Sequence, residues 1–146
     1  MSTTARTSWI GEVIVVGAIY FVIGYGSAAL DPAIPDQRRF MWRLTAWIAS
    51  VAVMSTHIAY EHVRRGDSTA VAARHTALAV ALGGFLLALA ATVHAAVGAS
   101  HAPFWRFLIA LVVWPTVTGA PVFVVAFAAT AILRRWSTRG ASGPHR

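Results

Sequence analysis

Arg43, Ser50, His57 and Arg64 recur at seven-residue intervals, with Glu61 one turn beyond His57. Seven residues make two helical turns, so these side chains form a polar stripe on a helix whose other faces carry Ala, Val, Ile, Trp and Met. Imidazole changes charge near neutral pH, and a carboxylate beside it can share its proton. If the surroundings are hydrocarbon, ionisable groups are expensive there, and the stripe becomes a candidate proton relay or anionic-ligand site. A plainer reading takes precedence. Glu61 has Arg64 and Arg65 at i+3 and i+4, an ordinary helical ion pair. Arg43 can reach outward along its own stem, and Ser50 can bond its own i−4 carbonyl.

The surroundings do read as membrane. Apolar residues make up 58% of the 146 and charged ones only 12%, a departure from soluble averages in both directions. Four apolar runs occur, near residues 8–30, 40–63, 71–98 and 104–133, and each has the ~20 residues that a ~30 Å hydrocarbon core requires. The connections are short, which makes sequential helices antiparallel neighbours. The expected fold is therefore an all-α integral membrane domain over residues 1–135, a four-transmembrane-helix antiparallel bundle. A disordered basic tail is expected over 136–146.

Orientation follows from arginine placement. Arg6, Arg64, Arg65, Arg74, Arg134, Arg135, Arg139 and Arg146 flank one side, and Arg38, Arg39, Arg43 and Arg106 the other. Eight against four predicts both termini cytoplasmic. A signal peptide cleaved after the first run is the rival, but that run is longer than an ordinary h-region and only Arg6 precedes it. The all-Arg, Ala-rich composition resembles that of a high-GC bacterium, so the inner membrane is the expected location. The net charge of +7 marks topology and anionic-lipid contact rather than nucleic-acid binding, because the Arg residues sit at the edges of apolar runs.

At ~1.5 Å per residue, His57 lies about 8 Å from the bilayer centre toward the cytoplasm, Glu12 about 12 Å and Glu61 about 14 Å. His75 and Arg74 start the third span at the same inner level. The candidate cluster is thus Glu12, His57, Glu61, Arg64 and His75. Within it Glu12 and His57, on adjacent helices, are the expected pair. His57 with His75 is also the one intramembrane pair that a haem b could use, although the two differ by about 7 Å in depth. No cofactor is expected on this basis.

Other chemistry is closed off. The chain has no Cys, which removes disulfides, thiolate catalysis and Cys-ligated metals. The run from His57 to His62 is one residue too long for a reversed zinc-protease motif and sets the two imidazoles about 140° apart on a helix. No nucleophile elbow or phosphate loop occurs, so the chain does not read as an enzyme.

The helices themselves supply the remaining signals. Pro115 and Pro121 interrupt the fourth span and free the carbonyls of Leu111 and Val117, which predicts a kink near mid-membrane with Thr116 and Thr118 taking up the hydrogen bonding. Gly83 and Gly84 lie at the same depth and predict a close crossing. Ala77, Ala81, Gly84, Ala88, Ala91 and Ala95 make a small-residue face on the third span, and Gly17, Gly24 and Ala28 do so on the first. Trp9, Trp42, Trp105 and Trp136 are placed as interfacial anchors. Such smooth faces with minimal loops point to a non-catalytic subunit that packs against itself or other membrane subunits in the lipid bilayer. A small proton-coupled transporter and a haem- or quinone-binding redox subunit are the alternatives.

Overall fold

In a computed structural model the chain is all-helical, and residues 3–30, 36–61, 68–98 and 103–141 are described. Four helices follow in order: α1 (Thr3–Leu30), α2 (Asp36–Tyr60), α3 (Thr69–Ala96) and α4 (Phe104–Ala141). His62, Arg64, Arg65 and His101, and the side chain of Trp136, lie outside the described residues.

Three of these helices are long and apolar enough to cross a membrane, over Trp9–Leu30, Thr69–Ala96 and Phe104–Arg135. The remaining helix, α2, is shorter of apolar residues than the other three. Arg38, Arg39 and Arg43 fill its first turns, and Ser50, Ser55, Thr56 and His57 dilute the apolar residues that follow. Helical backbone in α4 also continues to Ala141, into the stretch read from sequence as a tail.

α3 is the centre of the assembly and packs along its length against α4 on one side and α1 on the other. Adjacent glycines make both approaches close. A Cβ on Gly83 would stand 2.6 Å from Tyr20 Cβ and 3.1 Å from the Gly17 carbonyl on α1, whereas one on Gly84 would stand 2.6 Å from Thr118 Oγ1 on α4. Two neighbouring residues on a helix point about 100° apart, so the pair serves both partners at one level. Small residues answer from the other side: Gly17 and Gly24 of α1 receive Leu82 and Leu87, and Gly119 of α4 sits on Ala77 and Ala81. Close backbone approach replaces the hydrophobic drive that lipid does not supply.

Contacts in register give the directions. Trp9 meets His75 and Gly24 meets Leu87, so α1 and α3 run parallel. The Thr92 hydroxyl donates to the Phe107 carbonyl at 3.3 Å and that of Thr130 reaches Thr69, so α3 and α4 are antiparallel. α2 lies antiparallel on α1, where Tyr20 Oη donates to the Ser50 carbonyl at 3.2 Å and Trp42 Nε1 to that of Ser27 at 3.3 Å. This is the up-down-up-down order that short connections dictate.

The kink expected from Pro115 and Pro121 is not a break, since α4 is one continuous helix through both. Thr116 donates to the Val112 carbonyl and Thr118 to those of Trp114 and Pro115, not to Leu111 or Val117. α3 begins at an N-cap, where Ser68 Oγ accepts from the Val71 amide, and stops where Gly98 takes φ +79°, a value that suits a residue without Cβ.

Candidate functional site

The end of the molecule that holds the start of α1, the end of α2 and the start of α3 gathers the buried ionisable groups His57, Glu61 and His75. Ile58 of α2, Ala73 of α3 and Ala126 of α4 form a small apolar core there, with Met54 against it. Beside that core Glu61 is 0% exposed, and His57 and His75 are buried as well.

Helical spacing places the first pair. His57 and Glu61 are four residues apart on α2, and His57 Nε2 lies 3.9 Å from Glu61 Oε1. The second pair crosses helices. His75, one and a half turns into α3, sets Nδ1 3.3 Å from the same Oε1. The third element is α1, whose Trp9 stacks on the His75 ring with centroids 4.9 Å apart and planes 5° from parallel. One carboxylate oxygen is thus the meeting point of two imidazoles from two helices, and an indole from a third fixes the ring of one of them.

Such a group ties proton count to packing. A carboxylate buried without a proton is costly in hydrocarbon, and an imidazolium beside it offsets that cost through a charge-assisted hydrogen bond. With two imidazoles at one oxygen, the compensating proton has two seats. Moving it from His75 to His57 leaves the total charge unchanged but weakens the link between α3 and the carboxylate.

The sequence-derived cluster is therefore partly assembled. Glu61, His57 and His75 come together; Arg64 falls outside the described residues; Glu12 is half-buried on α1. A carboxylate set against His57 is that of Glu61. The depth gap that separates His57 from His75 in a sequence reading is closed by Glu61, which lies one turn beyond His57 and so at the level of His75. Among the described residues no group of three His, Asp or Glu side chains has the arrangement to hold a metal ion.

Trp9 also enters the site. Its position at the start of an apolar run reads as an interfacial anchor, and nothing in the spacing announces the stack on His75. Trp42 likewise serves as a cross-helix donor to Ser27. Trp105 is exposed at the other end of the molecule, with the Arg106 guanidinium 5.6 Å from its ring centroid.

Compared with known proteins, the chain matches no family model, and no curated protein or solved structure is similar to it.

Proposed function

We propose that this is a small four-span protein of the bacterial cytoplasmic membrane, with both termini inside, that serves as a non-catalytic component of a larger membrane assembly. Three helices are compatible with a small membrane protein on length and composition. The fourth, α2, runs antiparallel to α1 and so shares the axis of the spans.

The observation that carries the proposal is the state of α2. It is the helix shortest of apolar residues and also the one the chain packs least. Its attachment to α1 leaves a groove of about 250 Å³ lined by Ile23, Ser27, Trp42 and Ala46. Its outward face carries Phe40 (72% exposed), Trp47 (73%), Ile48 and Arg43, interleaved with Thr45, Ser55 and Thr56. Aromatic residues and Arg beside hydroxyls are the mixture that protein interfaces favour over lipid-facing surfaces. A second membrane subunit or a second copy of this chain covers that face in the proposal.

Because the chain has no Cys, single cysteines report without background. Trp47→Cys on the proposed interface and Val124→Cys on the outer face of α4 are labelled with a maleimide in native membranes and after purification to a monomer. The expected result is that Trp47→Cys is protected in native membranes and gains labelling on purification, while Val124→Cys is unchanged. Equal labelling of Trp47→Cys in both states would remove the interface.

A second reading is favoured by the Glu61 group. Two imidazoles on one buried carboxylate suit proton-coupled carriage of a small solute, with the site in the inner leaflet. It predicts proton release into a dye-loaded proteoliposome that is lost in Glu61→Gln. Release unaffected by that substitution would set the carrier reading aside without touching the first.

A further inference from the structure

A groove of about 340 Å³ runs between α3 and α4 on the face away from α1. Its floor is the close crossing of the two helices, Ala77 and Ala81 against Gly119 and Ala120, and Leu78 and Phe123 form its walls. One lining residue is charged. Arg74, exposed and five residues into α3, lines the groove at the end that holds the start of α3. Among the described residues no carboxylate pairs with it: Glu61 is turned to the two imidazoles, and Arg74 has no ion pair.

An unpartnered guanidinium at the mouth of an apolar groove, about 8 Å inside the start of a membrane helix, asks for an anion that brings its own hydrocarbon. We propose that the groove binds an anionic phospholipid of the inner leaflet. The phosphate is held by the Arg74 guanidinium, whose planar fork matches two phosphate oxygens. One acyl chain lies along Ala77, Ala81, Gly119 and Ala120, where the absence of larger side chains leaves room for it. The site is on the opposite side of α3 from α1, so it is independent of the interface proposed on α2.

The test is native mass spectrometry of the full chain released from nanodiscs of equal phosphatidylglycerol and phosphatidylcholine. Wild type is expected to retain phosphatidylglycerol over phosphatidylcholine by about fivefold, the preference that one basic residue near a membrane surface supplies. Arg74→Gln, an exposed position whose change leaves the packing intact, brings the ratio close to one. Arg135→Gln, at the same end of the molecule but outside the groove, leaves it unchanged. Ala120→Phe fills the groove and lowers retention of both lipids.

Equal retention of the two lipids by wild type would overturn the proposal. An equal loss in Arg74→Gln and Arg135→Gln would reduce the effect to general surface charge and overturn it too. If Leu78→Cys forms a disulfide-linked dimer in native membranes, a second copy fills the groove and the lipid does not. Should Ala120→Phe fail to fold, the two arginine variants still decide the matter.

Discussion

His75 Nδ1 lies 3.3 Å from Glu61 Oε1, across the gap between α3 and α2, and the same oxygen is 3.9 Å from His57 on its own helix. Only the first of these contacts joins separate helices. Removing one partner of a buried charged pair leaves the other uncompensated, at a cost of about 3–5 kcal/mol. Glu61→Ala is therefore expected to lower the thermal midpoint in detergent steeply, and His75→Ala nearly as much. Combining them should cost less than the sum, because the second change removes a group already stranded. His57→Ala is expected to be milder, since its 3.9 Å approach to Glu61 is longer and lies within one stretch of helix. Thermal unfolding of the four variants checks this ranking, and an additive double variant would count against the pair.

The glycines divide by what surrounds them. Gly83→Ala drives a Cβ into Tyr20 Cβ and the Gly17 carbonyl, atoms that cannot move without separating α1 from α3. Overpacking of this kind costs about 1–3 kcal/mol. Gly24→Ala meets only the end of the Leu87 side chain and should cost less. Gly11 and Gly26 have nothing within 4 Å of an added Cβ, so alanine there is expected to be neutral or to stabilise by up to about 1 kcal/mol. Midpoint shifts of opposite sign at Gly83 and Gly26, measured in one detergent, check the assignment.

These sites also mark how far the sequence could be read. Run lengths and short connections were enough for an antiparallel all-helical fold, because hydrophobic length and chain reach are local properties. The crossing of α3 and α4 was legible too, since Gly84 shares a depth with Pro115. Gly83 facing α1 was not, because a small residue announces closeness without naming its neighbour. At the site, His57, Glu61 and His75 were all visible as costly groups, but depth alone did not join them at one oxygen. Depth fixes one coordinate, and the rotation of each helix about its axis fixes the other; rotation depends on packing that a single chain does not spell out. Trp9 on His75 was hidden for the same reason.

Two of the side-chain bonds that join α2 to α1 sit far enough apart to act independently. Tyr20→Phe removes the bond to the Ser50 carbonyl, and Trp42→Phe that to Ser27. Interhelical bonds in membranes average ~0.6 kcal/mol, so each loss should be small and the pair additive. The effect should be confined to α2. Hydrogen exchange is expected to speed up in the middle of α2 in the double variant while α3 and α4 keep their protection. A uniform rise across all helices would mean that α2 is not the separable element its packing indicates.

Whether α2 crosses the membrane turns on the stretch between its arginines and Glu61. From Leu44 to Tyr60 it carries no Asp, Glu, Lys or Arg, and three of its hydroxyls are turned inward on the helix: Thr45, Ser50 and Thr56 each donate to the carbonyl four residues back. A hydroxyl satisfied in that way no longer needs water, which removes much of the cost that its low hydropathy implies. The remaining costs sit at the ends, with Arg38, Arg39 and Arg43 at one and the imidazole-bonded Glu61 at the other. Phe40 and Tyr60, both exposed, are separated by about 30 Å of helix, the thickness of the hydrocarbon core. In sealed cells a membrane-impermeant maleimide is expected to label Phe40→Cys from outside and Tyr60→Cys only after permeabilisation. A helix lying along one surface would give the two positions the same sidedness, and the three other helices would then cross without it.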